Sequence, residues 1–133
     1  MIYLTKAEII TINNYQVKAF GGNFVLPHNF LHEKNLDYLL EAVEAKMFGK
    51  ALYPELYQKA GLYMFNIVCN HIFQDGNKRT GLQAAIIFVQ LNNYTFKDSV
   101  DDDLLIEFTL DVASGKHSLE SVQTWFKDHI QPL

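Results

Sequence analysis

The sequence predicts an all-α domain, because helical signals recur along the chain and no pair of segments forms a convincing sheet. Of the 133 residues, 49% are apolar and 20% are charged, so the chain can build one sizeable core. Two segments, "ELYQKAGLYMFNIVCN" and "RTGLQAAIIFVQL", are apolar on most helical faces, as central buried helices are. We expect a single domain over residues 1–133, a bundle of about six helices.

The first three helices are predicted from residues that begin or end helices. Thr5–Glu8 forms a capping box for the first helix, and Gly21-Gly22 should end it. Asn35 is expected to cap the second helix, "LDYLLEAVEAKMF", which should end at Gly49. The following "GKALY" is short and is expected to be extended, forming a flap rather than a sheet. Pro54 suits the first position of the third helix.

The second half of the chain carries three further helix signals. The fourth helix follows the loop "HIFQDGN" and should stop at Asn92-Asn93. Asp101–Asp103 can cap a fifth helix that ends at Gly115, and Ser118 can cap the last one. The two central helices therefore flank one polar loop, where both helix ends leave backbone groups that need partners.

Composition excludes several classes of function. The net charge of -4 disfavours the broad basic surface that duplex DNA requires. The single Cys69 cannot form an intramolecular disulfide and fits a reducing compartment. The opening "MIYLTKAEII" lacks the features of a secretory signal, and no apolar run is long enough to span a bilayer. We expect a cytoplasmic protein without direct DNA binding or membrane contact.

The start of the fourth helix concentrates groups that favour an anion. Gly76, Asn77, Lys78 and Arg79 lie at or just before its first turn, where unpaired N–H groups point outward. Two cations there oppose the helix dipole, at about 0.3–1 kcal/mol each, and a bound anion would reverse that cost. A Lys-Arg pair after a turn also suits a solvated surface, so charge alone leaves both interpretations open.

Two other side chains give the loop further chemistry. Asp75 is the one acid in it, and a hard carboxylate beside phosphates suits Mg²⁺. His71, at the end of the preceding helix, can titrate near neutral pH and take a proton from a hydroxyl. Cys69 lies two residues from His71 and does not share its helical face, so we interpret Cys69 as a core residue.

The stretch "HIFQDGNKRTGL" resembles the Fic/Doc signature, HxFx(D/E)(A/G)N(G/K)RxxR. More narrowly, it is similar to HxFxDxNKRTxL, the version in the death-on-curing (Doc) toxins. The likeness extends to "YLTKAEIITINNYQVKAFGG", which resembles the family's opening helix, and to "LLEAVEAKMFGKALYPELYQKAG", which resembles the segment before the motif. The positions in register with the signature are His71, Phe73, Asp75, Asn77, Lys78 and Arg79.

The resemblance implies an all-α protein that binds ATP with Mg²⁺ and transfers part of the nucleotide to a hydroxyl of a target protein. His71 would be the general base, Asp75 would hold Mg²⁺, and Phe73 would anchor the loop in the core. The segment "KMFGKALY" would correspond to the flap that aligns the target chain. The residues corresponding to the family's phosphate-binding positions are Gly76, Asn77, Lys78 and Arg79.

Two departures from the adenylylating members of the family favour the Doc subfamily. Lys78 replaces a Gly, and Leu82 replaces a second Arg. Doc proteins share both changes, which implies transfer of the γ-phosphate to a threonine of translation elongation factor Tu and a block of translation. The intact His, Asp, Asn and Arg set leaves adenylyl transfer as the alternative, and an inactive interaction module as a third. Gly76 is a smaller departure that gives the anion site more backbone freedom.

The resemblance also implies a partner. Doc toxins pair with an antitoxin whose C-terminal segment folds onto the toxin. The sequence contains no S/TxxxE(G/N) inhibitory motif of the kind that some Fic proteins carry. We therefore expect that a separate cognate antitoxin controls this protein.

Overall fold

The computed structural model describes residues 1–133 and confirms the predicted all-α class. Six helices dominate, and four short strands form two separate antiparallel pairs, β1 with β2 and β3 with β4. The helices are α1 (Lys6–Phe20), α2 (Glu33–Ala42), α3 (Leu56–Cys69), α4 (Asn77–Leu91), α5 (Asp102–Ala113) and α6 (Leu119–His129). The strands are β1 (Lys46–Met47), β2 (Lys50–Ala51), β3 (Tyr94–Phe96) and β4 (Ile130–Pro132).

Helices α3 and α4 form the centre of the molecule, as their apolar faces predict. Tyr63 and Phe88 are both fully buried, with ring centroids 4.9 Å apart. Gly81 lets α4 approach α3 closely, because a Cβ atom there would lie 2.5 Å from Cγ2 of Val68. This packing holds α3 and α4 close together, and so positions the two ends of the loop between them.

Gly61 makes the contact of α3 with α6 equally close. A Cβ atom at Gly61 would lie 2.7 Å from Cγ and 2.9 Å from Cα of Gln123. Gly61→Ala is therefore expected to lower the free energy of unfolding by about 1–3 kcal/mol, the usual cost of overpacking. The higher helix propensity of Ala, about 1 kcal/mol, only partly offsets it. Urea unfolding of both proteins measures the difference, and an unchanged or higher stability would contradict the close approach.

Most predicted helix ends are confirmed. The Thr5 hydroxyl accepts from the N–H of Glu8, the Glu8 carboxylate accepts from the N–H of Thr5, and α1 ends at Gly21. The Asp101 carboxylate accepts from the N–H of Leu104 at 2.8 Å and caps α5. Ser118 caps α6 in the same way, and Asn92 ends α4. These caps involve only neighbouring residues, which is why the sequence shows them.

The predicted bounds of α2 are wrong. The helix begins two residues before Asn35, and Asn35 does not cap it, because its side-chain Nδ2 donates instead to the carbonyl of Asn70 at 2.7 Å. The helix ends at Ala42 rather than near Gly49. Lys59, a buried residue of α3, donates from Nζ to the carbonyl of Val43 at 2.6 Å, just past that end. The helix therefore ends where a distant lysine supplies a partner for the carbonyl of its C-cap residue, Val43.

The segment after α2 is extended, as expected, but it forms a small two-stranded hairpin where a flap without a sheet was predicted. Strands β1 and β2 pair through a turn at Phe48 and Gly49, both with positive φ, and Phe48 is 98% exposed at its tip. The turn explains why Gly49 stands here rather than at a helix end. The expected start of α3 is also corrected. The helix begins at Leu56, after an N-cap at Glu55, so Pro54 lies outside it.

The second strand pair was not expected. Strand β3 follows α4 and pairs with β4, at the other end of the sequence, with Thr95 opposite Gln131. Each strand has three residues, too few to show a two-residue alternation in the sequence. None of the helices is long and apolar enough to cross a membrane.

Candidate active site

The loop between α3 and α4 is held by a strap of residues from the α1–α2 connection. Phe30 and Phe73 form a β-bridge, and their rings stack with centroids 5.3 Å apart. The N–H groups of Leu31 and His32 both donate to the carbonyl of Ile72, at 2.9 and 3.0 Å. Phe73 is fully buried, as its expected role of anchor requires. These contacts hold the loop against the strap.

The side chain of Asn77 closes the loop upon itself. Its Oδ1 accepts from the N–H of Phe73 at 3.0 Å, and its Nδ2 donates to the carbonyl of Phe73 at 2.9 Å. This amide therefore has both of its polar atoms engaged inside the loop. What Asn77 offers to an anion is its main-chain N–H at the start of α4.

Asn13 of α1 is a second support, and sequence reasoning missed it. It is 1% exposed, and its Nδ2 donates to the carbonyl of Asp75 at 2.9 Å and to Oγ1 of Thr80 at 3.1 Å. Its Oδ1 accepts from Nδ2 of the buried Asn29 at 3.0 Å. The sequence contains one signal of this role, since Asn13 lies on the buried face of α1 with Ile9.

One cleft of about 290 Å³ brings together every predicted site residue. At its floor, the main-chain N–H groups of Asn77, Lys78 and Arg79 have no hydrogen-bond partner, and neither cation forms an ion pair. Positive partial charge and two full charges therefore meet at one helix start, an arrangement suited to phosphate. The cleft is lined by His71, Asp75, Gly76, Asn77, Lys78 and Arg79, together with Val68, Gln74 and Ala113.

His71 lies just outside α3 rather than at its end. The helix stops at Cys69, Asn70 follows as the C-cap, and His71 has φ 48°, an uncommon conformation for a residue with a side chain. Its side chain is exposed and forms no hydrogen bond. The imidazole is therefore available to a substrate hydroxyl.

Asp75 is the acid of this cleft, and its pKa is lowered. The N–H of Asn23 donates to Oδ2 at 3.0 Å and the N–H of Gly76 donates to Oδ1 at 2.8 Å, with smaller contributions from Lys78 and Arg79. Each oxygen keeps a second lone pair, and the side chain is exposed. An ionised carboxylate with free lone pairs fits a hard cation such as Mg²⁺.

The lowered pKa of Asp75 has a consequence for stability in acid. A carboxylate with a depressed pKa stabilises the fold above its ordinary value of about 3.9 and loses this contribution as the pH falls through the folded value. The free energy of unfolding should therefore fall less between about pH 6 and pH 3 in Asp75→Asn than in the unaltered protein. Denaturant unfolding of both proteins at pH 6 and at pH 3 measures this difference. Equal pH dependence of the two proteins would contradict the hydrogen bonds that lower the pKa of Asp75.

Arg79 lies between this cleft and a larger, more apolar one. Its guanidinium lies 4.6 Å from the centroid of the Phe20 ring, a cation–π contact that holds it at the start of α4. The neighbouring cleft of about 570 Å³ is lined by Lys78, Arg79 and Leu82, among others. Leu82 thus contributes an apolar wall beside the two cations at the start of α4.

Cys69 is not a candidate nucleophile. Its Sγ donates to the carbonyl of Val112 at 3.6 Å, and partial burial raises the pKa of the thiol. The thiolate is therefore disfavoured, and the residue packs against the core as expected.

Comparison with known proteins agrees with the resemblance that the motif carries. The family model described as Fic/DOC family matches residues 3–89, a span that includes the whole cleft loop and its strap. The chain belongs to the Fic/DOC family. It is 29% identical over 120 residues to the Toxin Doc of Mycolicibacterium smegmatis, covering 90% of this chain and 87% of that protein. It is 26% identical over 122 residues to the Protein kinase doc of Escherichia phage P1, covering 92% and 90%.

Proposed function

We propose that this protein is a Doc-type toxin that transfers the γ-phosphate of ATP to a threonine hydroxyl of a target protein. The observation that carries the proposal is the cleft, where unpaired N–H groups and two unpaired cations lie beside an available imidazole and an ionised carboxylate. The two relatives support the same proposal, because one is named a toxin and the other a protein kinase. Elongation factor Tu is the target that the Doc resemblance implies.

The residues of the cleft have complementary tasks in this reaction. His71 accepts the proton of the threonine hydroxyl as its oxygen bonds to the γ-phosphorus and the bond to the β-phosphate oxygen breaks, releasing ADP. Lys78, Arg79 and the free N–H groups orient the phosphates and balance their charge. Asp75 would hold Mg²⁺, which supplies further positive charge to the phosphate oxygens when bound.

Adenylyl transfer is the alternative, and two side chains favour phosphate transfer over it. Lys78 adds a long cation where adenylylating members have a glycine, and Leu82 removes a second arginine from the neighbouring wall. The triphosphate then meets its charge partners at the start of α4 and has none at Leu82. We infer that this asymmetry presents the γ-phosphate, rather than the α-phosphate, to the target hydroxyl.

The position of the label on ATP distinguishes the hypotheses. Purified protein is incubated with elongation factor Tu, Mg²⁺ and either γ-labelled or α-labelled ATP, and labelled residues are identified by mass spectrometry. Phosphate transfer places γ-label on a threonine, adenylyl transfer places α-label on the target, and an inactive module labels nothing and binds no nucleotide. His71→Ala serves as the matched negative control.

A cognate antitoxin is the proposed partner, with a C-terminal segment that folds onto this chain. If the protein is a toxin, its expression alone should arrest bacterial growth, and co-expression of its cognate antitoxin should restore growth. His71→Ala, expressed at the same level, is the control that should not arrest growth. If the wild-type protein also leaves growth unaffected at that level, the toxin role is contradicted.

Arg79 provides a direct test of the phosphate site. Arg79→Ala is expected to weaken ATP binding by about 1.5–3 kcal/mol, the usual contribution of hydrogen bonds to charged groups. This corresponds to about 10–150-fold in the dissociation constant, measured by calorimetry. Lys34→Ala is the control, because Lys34 is an exposed cation on α2 that does not line the cleft. An equal effect of both substitutions would mean that only net charge matters.

A further inference from the structure

The carboxylate of Asp75 is held from two directions by main-chain groups. The N–H of Gly76 binds Oδ1 at 2.8 Å and is local, whereas the N–H of Asn23 binds Oδ2 at 3.0 Å and comes from the connection after α1. Asn13 fixes the carbonyl of the same residue at 2.9 Å. Both the main chain and the side chain of Asp75 are thus positioned by residues far from it in sequence.

Gly22 makes the approach of Asn23 possible. It has φ +131°, and a Cβ atom there would lie 2.8 Å from Oδ2 and 3.0 Å from Cγ of Asp75. The neighbouring Gly21 also has a positive φ, +84°, but a Cβ atom at Gly21 would meet no atom within 4 Å. Both glycines thus have a backbone conformation that favours glycine. Only Gly22 lies against the Asp75 carboxylate.

We propose that Gly22 and the N–H of Asn23 form a clasp that positions the Asp75 carboxylate for a divalent cation. The inference rests on the proposed function, in which Asp75 holds Mg²⁺. The clasp takes one lone pair of Oδ2 and holds the exposed side chain in one orientation before any metal arrives. Removal of a group that orients a metal ligand in this way commonly lowers the affinity for the metal about 10–100-fold. Gly22 and Asn23 are positioning residues, and neither of them is expected to touch the nucleotide.

The test compares Gly22→Ala with Gly21→Ala. Calorimetry measures the affinity for the nonhydrolysable ATP analogue adenylyl imidodiphosphate, with and without Mg²⁺. We expect Gly22→Ala to lose about 10–100-fold of affinity when Mg²⁺ is present and little without it. Gly21→Ala should bind like the unaltered protein in both conditions. Asn23→Ala, which keeps the main-chain N–H, should also bind normally.

A second measurement needs neither metal nor nucleotide. Hydrogen exchange of the Asn23 amide should be slow in the unaltered protein and in Gly21→Ala, and faster in Gly22→Ala and Asp75→Ala. Rapid exchange in all four proteins would overturn the clasp itself. Equal Mg²⁺-dependent affinity in Gly22→Ala and Gly21→Ala would overturn the positioning role and leave the proposed function standing. If the unaltered protein binds the analogue equally well with and without Mg²⁺, both the metal site and the positioning role are overturned.

Discussion

His71→Ala is expected to lower the rate of phosphate transfer about 10²–10⁴-fold, the usual contribution of a general base. The affinity for ATP should stay near normal, because the groups that we propose for phosphate binding lie at the start of α4 and not at His71. Single-turnover transfer of γ-label to the target measures the rate, and calorimetry measures the affinity. A selective loss of rate assigns His71 to proton transfer rather than to nucleotide binding.

Two further variants separate chemistry from backbone strain. His71 has a positive φ, which Asn adopts more readily than Ala, so His71→Asn should keep the shape of the loop and still lack a base. It should be as slow as His71→Ala. His28→Ala is the matched control, since His28 is exposed and outside the cleft. Phosphate transfer at the normal rate in His71→Asn would contradict the role of His71 as general base.

Of the variants proposed for this protein, Phe73→Ala should lower the free energy of unfolding most. The ring is 0% exposed and stacks on Phe30 with an interplanar angle of 12°. Removing a buried aromatic ring commonly costs about 3–5 kcal/mol of unfolding free energy, because transfer energy is lost and a cavity remains. Urea unfolding followed by circular dichroism measures the loss. Since Phe73 joins the cleft loop to its strap, nucleotide affinity should fall as well.

The matched control for Phe73 is an aromatic residue with little contact. Tyr38 on α2 is 61% exposed, and Tyr38→Ala should change stability by no more than about 0.5 kcal/mol. A similar small loss in Phe73→Ala would mean that the loop is held by its hydrogen bonds alone. In that case the affinity for ATP should also be unaffected.

The sequence predicted those parts of the fold that depend on neighbouring residues. Thr5, Asp101 and Ser118 cap helices through bonds that span three residues, and all three predictions are confirmed. Asn35 satisfies the same local pattern but is held by the carbonyl of Asn70, a tertiary contact that no local rule contains. The end of α2 was misplaced for a similar reason, because its partner is the distant Lys59.

The candidate site likewise divides into residues that the local sequence predicts and residues that only tertiary contacts bring in. The six predicted residues were found because the helix-start pattern and the signature lie within nine consecutive residues, from His71 to Arg79. The supports from Asn13, Gly22 and Asn23 come from another part of the chain, where the family resemblance covers Asn13 and Gly22 without giving either of them a role in the site. A polar residue on an apolar helix face, as at Asn13, is the one signal that would have pointed to a support. The roles of the six residues remain predictions.

The end of α4 joins the two ends of the chain. Asn92 exchanges two hydrogen bonds with the main chain of Ile2, at 2.7 and 2.9 Å, and the carbonyl of the adjacent Asn93 accepts from the N–H of Leu133 at 2.9 Å. Residues near both ends of the described chain are therefore bonded to the same short segment, Asn92 and Asn93. A short linker between the ends of the chain, with new ends opened at the exposed turn around Gly115, would leave the loop between α3 and α4, its strap and the clasp in their present order along the chain.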